Sequence, residues 1–273
     1  MILYLVADSG LRTLQVRKYI DFKLNILLSY HYFKNKNLDK LLYETFKLNL
    51  SNVFLDSGAF SAYTQGVEIY IDDYIEYINK YKHLFTVYSN LDVIRDFKST
   101  YKNQLIMEQS GLNPLPVFHA GSPFTELERL CEKYDYIALG GMVSFHIKKR
   151  MPFLIKSFKI AKKYNTKYHG FGCTTYKILK SLPFFSVDSS SSTSGVRYGN
   201  LTFFEEKYGK FSQAKLGDIK SCKQHAEYFR ELGFSWVDFA NRDANEHNKI
   251  YAISIHNYKK IERYISRLHR QMK

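Results

Sequence analysis

Five short apolar runs in this chain each lead into a residue able to do chemistry. Val53-Phe54-Leu55 runs into Asp56, Ser89-Asn90-Leu91 into Asp92, and Leu115-Pro116-Val117-Phe118 into His119. Farther on, Ile137-Ala138-Leu139 meets Gly140-Gly141, and Phe185-Ser186-Val187 meets Asp188. An ionised carboxylate accepts hydrogen bonds from ring and exocyclic N–H groups, moves protons and can attack a sugar carbon to form a glycosyl ester. A histidine donates to a carbonyl, and paired glycines let backbone approach a flat ligand because no side chain intervenes. Singly, each has a plain structural explanation. Asp56 and Asp188 suit turns or helix N-caps, and His119 suits a satisfied core position. Five such residues at corresponding places are harder to explain that way.

These positions correspond because of the elements that carry them. Strand-like runs at Ile2–Val6, Asn25–Ser29, Val53–Leu55, Thr86–Leu91, Leu115–Phe118, Tyr136–Leu139, Tyr168–Phe171 and Phe184–Val187 alternate with amphipathic stretches. The helical patterns are Leu38–Leu48, Ile71–Tyr81, Tyr101–Gln109, Phe124–Lys133, Lys149–Tyr164 and Tyr176–Ser181. Strand followed by helix, about eight times over, predicts parallel βαβ units in an α/β protein. An open doubly wound sheet gives a similar pattern, but a (β/α)8 TIM-like barrel would gather all five strand ends on one rim, where barrel enzymes build their sites. The expected barrel core covers residues 1–197. Residues 198–273 read as a hairpin (from Gly199 to Lys215), a helical stretch at Ile219–Leu232 and a basic amphipathic helix at Ile250–Gln271, packed on the barrel as one domain.

The chain has 273 residues and a net charge of +14, from 40 Lys and Arg against 26 Asp and Glu. Such an excess suits a polyanionic partner, since each phosphate neutralised releases counterions. Lys259, Lys260, Arg263, Arg267 and Arg270 could hold a nucleic-acid backbone, or form an ordinary solvated face. Three widely spaced cysteines, Cys131, Cys173 and Cys222, argue against a disulfide framework and for a reducing compartment. The apolar start is too short for a signal peptide, and no apolar run reaches membrane-spanning length. A cytoplasmic protein, not bound to a membrane, is the expectation.

The order of the motifs resembles that of the tRNA-guanine transglycosylase superfamily. Phe54-Leu55-Asp56-Ser57-Gly58-Ala59-Phe60 is similar to the family's Asp-Ser-Gly-Gly-Phe-Gln segment. Pro116–Ser122 resembles its strand ending in Gln-Gly, with His119 in place of the glutamine. Ile137–Val143 resembles its Gly-Gly base-binding loop, and His169–Thr174 the segment before its last strand. Ser186-Val187-Asp188 stands where the family carries its nucleophilic aspartate. Val196–Thr202 and Phe211–Asp218 look like the family's hairpin, and Ser254–Tyr258 like its closing helix. The resemblance spans roughly residues 50–270.

It implies base exchange in a nucleic acid through a covalent aspartyl-glycosyl intermediate. Asp188 would be the nucleophile, helped by the serine run Ser189–Thr193, and Asp56 the proton shuttle. Asp92, His119, Ser57, Gly140 and Gly141 would bind the base, and Phe60 or Tyr88 would sandwich it. The family's structural zinc site uses three close cysteines and a histidine; here only Cys222, with His225 and His256, falls in the right region, without a nameable fourth ligand. The reduced size and missing cysteines resemble the DNA-acting branch, the 7-deazaguanine DNA transglycosylases of bacterial viruses and some bacterial islands. The implied partners are therefore DNA before tRNA, and a free 7-deazaguanine base, within a host cytoplasm if the protein is viral. Rival readings are a tRNA-acting enzyme, a non-catalytic nucleic-acid-binding barrel, and a barrel enzyme acting on a phosphorylated metabolite. A Ser-rich segment stands where that last class usually has a Gly-rich phosphate loop.

Overall fold

The computed structural model describes residues 1–7, 16–46, 50–142, 145–190, 198–241 and 247–271. They fall into two compact units, one drawn from within residues 1–9 and 23–189, the other from within 10–22 and 190–273.

The first unit is a (β/α)8 TIM-like barrel. Its strands are β1 (Ile2–Val6), β2 (Leu24–Ser29), β3 (Leu50–Asp56), β4 (Val87–Tyr88), β5 (Val117–His119), β6 (Tyr136–Gly140), β7 (Lys167–Gly170) and β8 (Ser186–Ser189). The sheet runs β4-β3-β2-β1-β8-β7-β6-β5, with every neighbouring pair parallel. The two ends of that order are joined by a parallel bridge between Ser89 and Leu115. There Leu115 N–H donates to Tyr88 O at 2.8 Å and Asn90 N–H donates to Leu115 O at 2.9 Å. Strand order follows chain order once round, without the reversal that marks a doubly wound sheet.

Alternation along the strands explains what is inside. Tyr4, Leu27, Phe54, Leu115, Val117 and Ala138 form a buried cluster, with Ile2, Val6, Val87, Tyr136 and Phe171 packed against it. The intervening residues of opposite parity face the helices. Phe118, for example, meets Phe97, Phe124 and Phe153, and Tyr168 meets Phe158. All six residues of β2 are buried, as befits a parallel strand covered on both faces. Fully burying one such Leu or Phe is worth roughly 1.5–3 kcal/mol, so neither face can become polar cheaply.

β1 spans the expected Ile2–Val6, whereas β3 begins earlier than expected and ends on Asp56 itself. Two short helices, Tyr30–Phe33 and Ala59–Thr64, fill loops that carried no helical pattern. The helix expected from Tyr101 begins at Phe97, because Asp96 caps it by accepting from Ser99 N–H at 3.0 Å and from the Ser99 hydroxyl at 2.7 Å. Asn165, at φ 57°, closes the helix Ile147–Tyr164 in the left-handed region that asparagine tolerates. Lys47 and Leu48, Val143, Ser191–Thr193, and Val196 with Arg197, which the expected motifs include, lie outside the described residues.

The second unit contains the expected hairpin, an antiparallel pair β9 (Asn200–Glu205) and β10 (Lys210–Lys215) with Glu205 opposite Lys210. Its long helix, His247–Gln271, fixes the hairpin through Asn257, whose Oδ1 accepts from Phe204 N–H at 2.7 Å while its amide donates to Ile253 O at 2.8 Å. The helical stretch expected over Ile219–Leu232 is broken at His225 into Ile219–Gln224 and Ala226–Glu231. The unit also takes in the short 3-10 helix Val16–Tyr19, from between β1 and β2, which a division at residue 198 assigns to the barrel. The Tyr19 ring packs edge-on against Phe234. Among the described residues, no helix is long and apolar enough to cross a membrane.

Candidate active site

Asp56, His119 and Gly140 are the last residues of β3, β5 and β6, Asp92 follows β4, and Asp188 is the third residue of β8. All therefore belong to the C-terminal rim of the barrel. Asp92 and Asp188 both lie close enough to Asp56 to disfavour its ionisation.

The turn after β3 is built from its own side chains. Asp56 Oδ2 accepts from Gly58 N–H at 3.0 Å, and Ser57 Oγ accepts from Ala59 N–H at 3.2 Å as the helix Ala59–Thr64 begins. Gly58 sits at φ +74°, and a Cβ there would come within 2.4 Å of Ser29 Oγ, so no side chain fits. Behind the turn, Ser89 Oγ accepts from Ser57 N–H at 3.1 Å and buried Tyr74 donates to Ser89 O at 2.9 Å. Burial first, then the Asp92 and Asp188 carboxylates, push the Asp56 acid up to about 8, against opposing N–H bonds from Gly58 and Ser57. Asp56 is thus largely protonated at pH 7.

Asp92 is saturated by comparison. Its Oδ1 accepts from Ser57 Oγ at 2.8 Å, and its Oδ2 lies 2.9 Å from His119 Nε2. This pair depends on Gly140, the register partner of His119 on β6. A Cβ on Gly140 would sit 2.9 Å from His119 Cδ2 and 3.3 Å from Nε2. Gly141 follows at φ +74°, where a Cβ would meet Ala120 N at 3.1 Å. The two glycines let an imidazole lie across the end of β6 and reach a carboxylate on the far side of β5.

Asp188 is 8% exposed, and Gly172 N–H donates to its Oδ1 at 2.8 Å. The same oxygen lies 3.4 Å from Nε2 of the fully buried His169. Among the described residues, Oδ2 has no hydrogen-bond partner.

Of the two aromatics expected to sandwich a base, Phe60 is on the rim, one residue into the helix after Asp56 and 52% exposed. Tyr88 follows inward-facing Val87 and so points to the helix side, with its hydroxyl accepting from Asn113 N–H at 2.8 Å. Sequence alone left Phe171 without a role. Its ring packs against His169 and Phe54, with centroids 4.7 and 6.0 Å away, and borders the empty Cβ position of Gly140 at 3.6 Å. It forms part of the floor of the mouth. His169 and Ser186 beneath Asp188 were likewise unassigned. Their signal is parity, since residues 186 and 188 share the inner face of β8 and His169 pairs with Ser186 in register. Cys173 is no rival nucleophile, because burial and the nearby Asp188 push its thiol up to about 12.

The zinc candidates do not fit a metal centre. Cys222 Sγ donates to the carbonyls of Lys215 and Phe239, 3.4 Å from each. His225 Nδ1 is 2.8 Å from Ser221 O, and His256 Nε2 is 3.1 Å from Tyr19 O. Burial raises the Cys222 thiol above its ordinary value. Among the described residues, no group of three or more His, Cys, Asp or Glu side chains could hold a metal ion.

The basic face of the long helix is partnered within its own unit. Lys259 pairs with Glu262 at 2.6 Å, Lys260 with Glu231 at 2.8 Å, and Arg263 and Arg267 both reach Glu206 at 3.4 Å. Arg270 donates to Ser266 O at 3.2 Å.

Compared with known proteins, the chain matches no protein-family model, and no curated protein matches it.

Proposed function

We propose that this barrel is a nucleic-acid base-exchange enzyme, which replaces guanine in a polynucleotide with a 7-deazaguanine base through a covalent intermediate on Asp188. The observation that carries this proposal is the unequal state of three carboxylates at one barrel mouth. Asp56 is held protonated near neutral pH, Asp92 is bonded through both oxygens, and Asp188, among the described residues, through one only. An acid, an oriented acceptor and an open nucleophile are what a double displacement at a sugar carbon needs.

In the first step an Asp188 oxygen attacks C1′ and the bond from C1′ to guanine N9 breaks. The bonding pair leaves on the base, which takes the Asp56 proton. The incoming base then gives its N9 proton to the Asp56 carboxylate, attacks C1′ and releases Asp188. Two inversions restore the original configuration. Asp92 and His119 offer an acceptor and a donor to the base edge, its N–H groups sharing the carboxylate with Ser57. Phe60 and Phe171 offer flat apolar surface, and Gly140 and Gly141 allow close approach. In duplex DNA the base must first leave the stack, at a cost of a few kcal/mol, so mismatched or single-stranded sites react more readily.

DNA is preferred to tRNA here on the resemblance to the DNA-acting branch, and the net charge of +14 suits either polymer. Incubation of the purified protein with radiolabelled guanine and 7-deazaguanine bases, alongside guanine-containing DNA or unmodified tRNA, tests it. Label entering DNA is expected. Label entering tRNA alone keeps the chemistry and moves the substrate, and label in neither polymer with any base sinks the proposal.

A further inference from the structure

Beneath Asp188, a line of polar groups runs down the inner face of the barrel. Tyr136 OH lies 2.5 Å from Ser186 Oγ, and Ser186 Oγ lies 2.7 Å from His169 Nδ1. His169 is 0% exposed, ringed by Tyr4, Phe54 and Phe171. Among the described residues its Nε2 has no partner within hydrogen-bond geometry, yet it faces Asp188 Oδ1 at 3.4 Å.

Counting protons decides which way this line points. Ser186 has one hydroxyl proton and two neighbours. If Tyr136 donates to Ser186, the serine proton is free for Nδ1, and the proton of the neutral imidazole sits on Nε2, aimed at a carboxylate. If instead Nδ1–H donates to Ser186 and Ser186 to Tyr136, the phenol proton has no acceptor among the described residues. A bare Nε2 lone pair would then face Asp188, and both defects carry the cost of buried unsatisfied groups. Burial pushes the Tyr136 phenol well up, so it remains a donor throughout the neutral range.

We infer that His169 is a positioning residue for Asp188, fixed as its Nε2–H tautomer by Ser186 and Tyr136, and that Oδ2 of Asp188 is the attacking oxygen. This rests on Asp188 being the nucleophile of the proposed exchange. The Gly172 N–H and the His169 Nε2–H both address Oδ1, which fixes the carboxylate plane and leaves Oδ2 without a hydrogen bond among the described residues. The 3.4 Å separation is long for a hydrogen bond. It shortens as the sugar draws Asp188 into line, as catalytic contacts commonly do on substrate binding. Once Oδ2 is esterified, Oδ1 becomes the carbonyl oxygen of the intermediate. When the incoming base attacks C1′, negative charge returns to the carboxylate with both donors in place, which makes Asp188 a better leaving group.

Two measurements on the full chain test this. Nitrogen-15 NMR of histidine-labelled wild-type protein should show His169, assigned by its loss in His169→Gln, as a neutral imidazole protonated at Nε2. A signal for the Nδ1–H tautomer or for an imidazolium overturns the assignment. In the exchange assay, His169→Leu should lower kcat by roughly 10- to 100-fold with KM little changed, the usual effect of deleting a bond to a charged group. His169→Gln, whose amide can accept from Ser186 and donate to Asp188, should recover most of that loss. Equal loss in both variants, or loss in neither, overturns the positioning role. A wild-type protein without exchange activity overturns the nucleophile and with it the role of Oδ2, while the tautomer result still stands on its own.

Discussion

Two histidine–aspartate pairs lie near the mouth of this barrel and are built differently. On the β4–β5 side, His119 and Asp92 are 2.9 Å apart and the second oxygen of Asp92 is held by Ser57. On the β7–β8 side, His169 and Asp188 are 3.4 Å apart, and among the described residues the second oxygen of Asp188 has no hydrogen-bond partner. The residue types are the same; the difference lies in depth and in what surrounds them. His119 is the last residue of β5, at the rim, where its ring is held against Gly140 and bonded to Asp92. His169 is locked below the rim by Ser186 and three aromatic rings. A saturated pair suits recognition and an unsaturated one suits attack.

The largest expected effect comes from closing the open side of that contrast. Asp188→Asn should lower exchange by at least about 10³-fold, as loss of a nucleophile generally does, with DNA affinity little changed. Retained exchange would remove Asp188 from the chemistry and make the two pairs equivalent. A smaller effect should follow from disturbing the other side without touching either member of its pair. In Gly140→Ala, the new methyl group meets the His119 ring at 2.9 Å, so the imidazole must leave Asp92. KM for the free base should rise about 10-fold, near the worth of one hydrogen bond to a charged group, and kcat should change less. A drop in kcat alone would mean that Asp92 and His119 serve the chemical step instead.

The gentlest test concerns Asp56, which stands between the two pairs. Its acid is pushed up to about 8 in the folded protein, against about 3.9 in an unfolded chain. Between those values the folded state holds a proton that the unfolded state has lost. Stability is therefore full below the lower value and declines as pH rises toward the upper one. The slope should stay below about 1.4 kcal/mol per pH unit, because the mouth is partly open to water. Thermal melts of Asp56→Asn should lack this slope and cross the wild-type curve. Parallel curves from pH 5 to 9 would place Asp56 in a more ordinary environment.

Much of the barrel was legible because its signals are local. A buried parallel strand reads as a short apolar run, and a polar residue ending that run marks the rim, which is how Asp56, Asp92, His119, Gly140 and Asp188 could be named from spacing alone. His169, Ser186 and Tyr136 were not legible in the same way, since their partnership needs the register between β6, β7 and β8 and no single segment contains it. The helix Ala59–Thr64 escaped notice because six residues hold too few turns for a periodicity. Val16–Tyr19 looked like a stretch of barrel loop, although its partners lie more than 200 positions away, as with His256 and Tyr19. The pairing of the basic helix was not legible either, since composition counts its cations but not the carboxylates that Glu206, Glu231 and Glu262 set beside them.

The Ser89–Leu115 bridge has a mechanical meaning. β4 is two residues long, and a single bridge is all that completes the ring between it and the segment entering β5. Asp92 lies just beyond one side of that seam and His119 just beyond the other, so their bond is a clasp across the thinnest joint of the barrel. Breathing of the wall at this point would part the two residues, and a base that gripped both would stitch the wall shut. Loosening of the scaffold at this seam and loss of the Asp92–His119 bond would thus be one motion.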